Sequence, residues 1–397
     1  MSRRLARKNV DMNRTKETKS NSSPLKVVVI GTRGIPNIQG GVETHCEELY
    51  PRLVKLGCDV TIMRRSCYIT PDNQIDDYKG VHLNNVYCPK NKALEAIVHS
   101  MLAVIKARHL HPDVVHVHAV GPGLCIPLAR LLGMRVVATN HGPDYDRQKW
   151  GTLAKKALRL GQWCQAKYAN CIIVISHVIA DILRNKHNRT RQVSLIYNGV
   201  TPPHKTQDKQ YIASLGLEPC KYVIAVGRFV PEKRFDRLVD EMELITQKGY
   251  KLVLAGDADH PDNYSKQLKK KCKQSGVVLA GFVKGEKLNQ LMSHAALFVL
   301  PSTHEGLSIS LLEAMSYSID VLLSDIPANK LSELETQDFF HVDNQQSLHE
   351  ALDHKLSHLV KNRTYDLKNY NWDHIAKQTL EVYRQTVSNH PKLFSTK

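Results

Sequence analysis

The sequence contains no C-x-x-C pair; its nine cysteines, an odd count, lie scattered between Cys46 and Cys272. Zinc sites and disulfide frameworks need closer, paired spacing, so buried and reduced thiols of a cytosolic protein are expected instead. Long apolar runs are missing too. No stretch reaches the roughly 18 residues of a membrane-spanning helix, which leaves a soluble or peripheral chain. The first 23 residues hold seven basic and two acidic side chains and no apolar run. That pattern fits a disordered basic arm over residues 1–23 rather than a signal peptide.

Acidic side chains are scarce in one half only. The whole chain has 55 Lys+Arg and 38 Asp+Glu, a net charge of +17. Residues 1–200 carry 30 basic and 14 acidic side chains (+16), and residues 201–397 carry 25 and 24 (+1). A uniformly basic nucleic-acid binder would not divide in this way; one basic module joined to a near-neutral one is expected. With 42% apolar and 23% charged residues the composition is globular, and 397 residues suffice for two domains.

What is present is an alternation of short apolar strands with helical patterns. Leu25–Ile30 (LKVVVI) runs into the Gly-rich loop GTRGIPNIQGGVETH, and an apolar-periodic stretch follows from Val42 to Leu56. A fully apolar strand, a glycine turn and a helix make the βα opening of a parallel doubly wound sheet. The alternation recurs at Cys58–Met63, Asp113–Ala119, Met134–His141, Cys171–Ser176 and Val193–Val200. After the polar segment Thr201–Gln210 it restarts at Lys221–Arg228, Lys251–Asp257, Val277–Val283, Ala296–Ser302 and Asp320–Asp325. Trp372–Val387 reads as an amphipathic helix. The expected fold class is therefore α/β, with two Rossmann-like, doubly wound parallel-sheet domains facing across a cleft. Their expected extents are residues 24–200 and 201–371, with a hinge near residue 200 and a closing helical segment over 372–397.

Two groups of residues carry chemistry. In AVGRFVPEKRFD, Arg228 and Lys233 follow a strand, where a guanidinium fork and an ammonium point charge can converge on one diphosphate. In PSTHEGLSISLLEAMSYS, Glu305 falls in the turn after a strand, and Glu313 about two turns inside a helix that runs from Leu307. The helix start offers free N–H groups and a dipole to a phosphate, and the carboxylates can accept from sugar hydroxyls. His116 and His118 in HVHAVGPG read as facing opposite sides of their strand, with His118 the better candidate near an acceptor. Asp144, Asp146 and Arg147 follow His141 in TNHGPDYDR, and Ser176 reads as a helix N-cap.

Together these motifs resemble those of retaining glycosyltransferases of family 4, which have the two-domain GT-B fold. The resemblance covers about residues 25–385, and the first loop with TNHGPDYDRQKWG is most similar to bacterial enzymes of surface-polysaccharide synthesis, such as lipopolysaccharide or capsule. It implies that Arg228 and Lys233 neutralise a donor diphosphate, that Glu313 accepts from the nucleotide ribose, and that Glu305, Gly306 and Leu307 lie beside the donor sugar. Gly40 and Gly41 match the loop whose bare backbone approaches the phosphate, His141 the histidine that contacts the donor sugar, and Asn198 and Gly199 the turn before the hinge. The expected catalytic residues are thus His141, Glu305, Arg228 and Lys233, with His118, Asp144 and Arg147 on the acceptor side. The resemblance also implies same-face attack with retention, a final helix that crosses back to the first domain, and no metal or other cofactor. Asp257-Ala258-Asp259 has the D-x-D form of metal-dependent transferases, but a strand-end loop is expected there.

Arg147–Lys167 holds six basic residues, no acidic one and two Trp, and Ala93–Ile105 is a second apolar stretch, too short to span. A basic helix with aromatics suits an anionic membrane surface; packing on the first sheet with solvated lysines accounts for it equally well. The expected function is hexosyl or deoxyhexosyl transfer from a nucleotide diphosphate sugar, a UDP-sugar ahead of dTDP- or GDP-sugars, to a lipid-linked glycan. The enzyme is expected to be cytoplasmic and peripheral on the inner face of the cell membrane, with no nucleic-acid partner. Two alternatives are a nucleotide-sugar epimerase of the same architecture and a non-catalytic basic protein that binds membrane or nucleic acid. The even charge of the second half counts against the latter.

Overall fold

The computed structural model describes residues 23–90, 94–143, 151–258 and 261–389. The basic arm, apart from Ser23, and the acceptor-side candidates Asp144, Asp146 and Arg147 lie outside the described residues.

The first sheet contains β1 (Leu25–Ile30), β2 (Cys58–Arg65), β3 (Asp77–Tyr78), β4 (Val81–Val86), β5 (Val114–His118), β6 (Val136–Asn140), β7 (Cys171–Val174) and β8 (Val193–Leu195). Their order is β3-β4-β2-β1-β5-β6-β7-β8, parallel except that β3 runs antiparallel to β4. The second sheet contains β9 (Tyr222–Val226), β10 (Lys251–Ala255), β11 (Val278–Gly281), β12 (Leu297–Leu300), β13 (Asp320–Ser324) and β14 (Phe339–Phe340), in the parallel order β11-β10-β9-β12-β13-β14. Strand order reverses direction between β1 and β5 and again between β9 and β12. In open α/β sheets such reversals leave a crevice at the carboxyl ends of the strands.

Apolar side chains on both faces explain why these strands are central and parallel. Val28 and Ile30 pack with Ala103, Val104 and Ile126, whereas Val27 and Val29 pack with Leu49, Tyr50, Ile375 and Tyr383. Helices Glu95–His109, Ile126–Leu131 and Thr152–Tyr168 thus cover one face of the first sheet. Helices Gly41–Lys55 and Trp372–Asn389 cover the other, so the last helix among the described residues belongs to the first sheet. Arg52 clasps it with a bond to Asp373 at 3.0 Å. The indole of Trp372 lies against Gly199, where a Cβ would fall 2.5 Å from the ring. The chain therefore passes between the units twice, side by side: Val200 pairs with Asn371, and its N–H donates to the Tyr370 carbonyl at 2.7 Å.

The second sheet carries a buried ionic knot. Lys355 Nζ donates to Asp320 at 2.7 Å and to Asp338 at 2.8 Å, and Arg363 bonds both carboxylates. All nine thiols are free, seven of them buried, with Cys220 exposed. Among the described residues no helix is long and apolar enough to cross a membrane. Apolar patterning does not reveal β3, β4 or β14, because a two-residue strand has no period and β4 carries polar Asn84 and Asn85.

Candidate active site

Carboxyl ends of both sheets open onto one cleft of about 1320 Å³. From the first sheet it receives Gly31 after β1, Ala119 and Gly121 after β5, His141 after β6 and Ile175 after β7. From the second it receives Gly227 and Arg228 after β9, Gly256 after β10, Phe282 after β11 and Glu305 after β12. Gly40, Gly41, Lys233, Gly306, Leu307 and Glu313 also line it, so the expected donor residues share one space.

Within that space Lys233 does not stand alone. Its Nζ lies 2.7 Å from Glu305 Oε1, and both side chains are mostly buried. Ser308 caps the following helix, Ile309–Ser316, its Oγ accepting from the Leu311 N–H at 3.4 Å. Because the helix starts at Ile309, Glu313 lies just over one turn inside, not two. Burial, then the nearby Glu48 carboxylate, push the Glu313 carboxyl up to about 7, against a smaller pull from Lys284. Gly40, at φ 149°, precedes the helix Gly41–Lys55; a Cβ there would fall 2.1 Å from Glu43 Oε2.

His141 is backed by a chain of hydrogen bonds. Its Nε2 lies 2.9 Å from His118 Nδ1; His118 Nε2 lies 2.5 Å from the Tyr50 hydroxyl, which also lies 2.9 Å from His116 Nδ1. His116 continues to Tyr383 on the last helix at 2.6 Å and to Thr139 at 2.7 Å. This corrects the expectation that His116 and His118 face opposite sides. Residues two apart on a strand share a face, and the two rings lie 4.2 Å apart. It also removes His118 from the acceptor: the residue is fully buried behind His141 and is not part of the cleft wall. Burial and then neighbouring imidazoles hold His118 and His141 well below the ordinary value of 6.5, and burial lowers His45 to about 4, so these rings are neutral at neutral pH.

Several contacts close the cleft, and sequence reasoning missed most of them. Lys284 Nζ meets Glu47 Oε2 at 2.8 Å, and Gln39 Nε2 donates to the Asp257 carbonyl at 3.3 Å. Asn198 Nδ2 donates to the Leu307 carbonyl at 2.9 Å while its Oδ1 lies 3.0 Å from His45 Nδ1. At Gly306 a Cβ would fall 2.2 Å from the His141 carbonyl oxygen, so only glycine permits this approach of the two units. No local pattern marks Glu47 or Lys284. Asp257 is ion-paired with Lys269 at 2.6 Å, and Asp259 lies outside the described residues. Ser176 occupies the N-cap position of helix His177–His187 without a capping bond.

The first-unit half of the cleft has a different character. Ile97, Leu124, Ala154, Ala157 and Leu158 line it, with Arg33, Arg65 and Glu95 nearby. Helix Thr152–Tyr168, which supplies three of these, exposes Leu153 (82%), Leu160 (51%) and Trp163 (40%) on its outer side.

Two facing Rossmann-like units with a cleft between the carboxyl ends of their strands have the GT-B architecture. The sequence matches Glycosyltransferase Family 4 over residues 39–202 and Glycosyl transferases group 1 over residues 207–378. An uncharacterized glycosyltransferase of Methanocaldococcus jannaschii is 27% identical over 406 residues, covering 91% of this chain and 98% of that protein. Sucrose-phosphate synthase from Thermosynechococcus elongatus superposes with a TM-score of 0.77 at 21% identity, over 92% of this chain and all of that one. Anabaena HepE in complex with UDP-glucose superposes at 0.69 and 16% identity, over 92% of this chain and 99% of that one. The chain belongs to the family 4-type glycosyltransferases: it is an enzyme that transfers a sugar from a nucleotide-sugar donor.

Proposed function

We propose that this enzyme transfers a hexosyl or deoxyhexosyl unit, with retention and without a metal, from a nucleotide diphosphate sugar to a lipid-linked glycan at an anionic membrane face, in surface-polysaccharide synthesis. The observation that carries the proposal is the division of the cleft. Its second-unit half holds Arg228, Lys233 and the start of helix Ile309–Ser316, donors suited to a diphosphate on which negative charge grows as the glycosidic bond breaks. Fixed cations there supply what magnesium supplies elsewhere. In this reading Glu313 accepts from the ribose, Glu305 and the Gly306–Leu307 backbone border the sugar, and His141 meets it from the opposite unit.

One stretch of the first-unit wall, Ile97, Leu124, Ala154, Ala157 and Leu158, is apolar beside the charged Arg33, Arg65, Glu47 and Glu95. It borders a helix with aliphatic and aromatic side chains exposed beside Lys156, Arg159 and Lys167. Leu153, Leu160 and Lys167 recur every seven residues and so share one helix face. Apolar side chains among lysines, in the half of the chain that carries +16, suit an acceptor whose phosphate sits at a membrane and whose tail is lipid. The test is incubation with radiolabelled UDP-, GDP- and dTDP-sugars, with and without membrane lipid extract, followed by solvent extraction and assignment of the product anomer. Lipid-extractable label that needs the extract, in the donor's anomeric form, is expected. No transfer and no donor hydrolysis with any sugar overturns the proposal, and a new donor epimer formed without acceptor favours an epimerase.

A further inference from the structure

We propose that His45, His118 and His141 form a binding site for a borderline divalent cation, such as Zn²⁺, Ni²⁺ or Cu²⁺, at the floor of the cleft. One ring nitrogen from each lies within 4.8 Å of the other two. Three separate elements deliver them: helix Gly41–Lys55, the end of β5 and the residue after β6.

The rings of His45 and His118 are oriented as a metal needs. Asn198 uses its amide nitrogen on the Leu307 carbonyl, so its Oδ1 faces His45 and must accept from His45 Nδ1–H. That leaves His45 Nε2 as a lone pair, and this atom is buried with no hydrogen-bond partner. On His118, Nε2 is occupied by the Tyr50 hydroxyl. When Tyr50 gives its proton to His116 Nδ1, it accepts from His118 Nε2–H, and His118 Nδ1 becomes a lone pair facing His141 Nε2. Asn198 and Tyr50 thus hold the nitrogens that point away from the cluster. Metal-binding histidines are oriented by such outer partners.

A tetrahedral ion with metal–nitrogen bonds of about 2.0–2.1 Å places its ligand nitrogens about 3.4 Å apart. The pair His118 and His141 at 2.9 Å must open slightly, and the widest separation, at most 4.8 Å, must close by up to about 1.4 Å. A tilt of the His45 ring about its Nδ1–H bond to Asn198 serves for this, since Nε2 itself breaks no bond on moving. Imidazoles alone favour Zn²⁺, Ni²⁺ and Cu²⁺ over Mg²⁺ or Ca²⁺, which take oxygen ligands. His141 lines the cleft, so entry and an open fourth position lie on that side. Without the ion, His141 Nε2–H donates to the His118 Nδ1 lone pair. On binding, that proton must leave Nε2, so that His141 becomes the Nδ1–H tautomer and Nε2 joins the ion, and the effect on sugar transfer would be inhibition. This site is separate from the Arg228 and Lys233 diphosphate position.

The experiment uses the full chain with Cys220→Ser, which removes the one exposed thiol. It is titrated with Zn²⁺ alone by calorimetry and examined by X-ray absorption. One ion per chain, a first shell of three imidazole nitrogens without sulfur, and at least a hundredfold loss of affinity in His45→Gln are expected. If His45→Gln does not fold, the absorption spectrum of the Cys220→Ser protein decides alone. Sulfur in the first shell, no binding at millimolar Zn²⁺, or equal affinity in a folded His45→Gln overturns the site. None of these readouts depends on sugar transfer, so failure here and failure of the proposed function are distinguishable.

Discussion

Lys233 Nζ lies 2.7 Å from Glu305 Oε1, which sets the ammonium at the carboxyl end of the second sheet before any donor arrives. An ammonium has three donors, so one can stay on Glu305 while others reach a diphosphate. Lys233→Ala is expected to lower kcat/KM by about a hundredfold or more, on the scale of losing one preorganised donor to a transition-state anion. Steady-state kinetics with the preferred nucleotide sugar check this; Lys233→Arg retaining more activity than Lys233→Ala supports a charge role.

Glu313 titrates near 7 because burial and Glu48 disfavour its charge. If it accepts from ribose hydroxyls, the carboxylate is the binding form. Donor KM should therefore fall as pH rises through about 7, and that step should vanish in Glu313→Gln. Folding stability moves the other way: a raised carboxyl contributes fully below its ordinary value of 4.5, and that contribution is lost as pH rises through 7. KM against pH, measured beside urea unfolding at each pH, separates the two effects. A KM profile unchanged by Glu313→Gln would count against the ribose role.

Gly306→Ala places a methyl 2.2 Å from the His141 carbonyl oxygen. The clash falls between units rather than inside either core. The variant should fold with little change in Tm, show a more open shape in small-angle scattering, and lose most of its turnover. Normal activity with unchanged scattering would show that the close approach is not needed.

Lys355→Met strips one cation from the knot of Asp320, Asp338 and Arg363. Leaving a buried carboxylate short of a partner costs about 3–5 kcal/mol, read as a lower urea midpoint at unchanged slope. Burial pushes Asp338 up, but bonds from Arg363 and Lys355 outweigh it and hold the carboxyl below its ordinary value of 3.8. The stability that Asp338 contributes is therefore present above that value and fades as the pH falls below it.

Changing Lys156, Arg159 and Lys167 to Gln together should weaken binding to anionic vesicles by roughly a hundredfold, at about 1 kcal/mol for each basic side chain near the surface. Cosedimentation at two salt concentrations checks it. Equal binding of variant and wild type would remove the membrane from the acceptor half.

The parts legible in the sequence were those with a local signature. Apolar runs before Gly31, Gly227 and Pro301 marked strands whose ends reach the cleft, and Arg228, Lys233, Glu305 and Glu313, singled out after those strands and joined by the family resemblance, all line it. Pairings between distant residues had no such signature. The Glu47–Lys284 contact spans 237 positions and depends on how the two units meet. The histidine chain was hidden for another reason: alternation along β5 was read as opposite faces, although a period of two returns His118 to the side of His116.

Helix Trp372–Asn389 packs with Leu49, Tyr50 and Leu53 of helix Gly41–Lys55, although among the described residues it is the last helix to be synthesised. A ribosome therefore delivers the whole second unit before the first can close its core, and the apolar face of helix Gly41–Lys55 waits uncovered through that interval. The bond between His116 and Tyr383 cannot form before Tyr383 has been made either, so a chain cut short before Trp372 would lack the back of its active site as well as one cover of the first sheet.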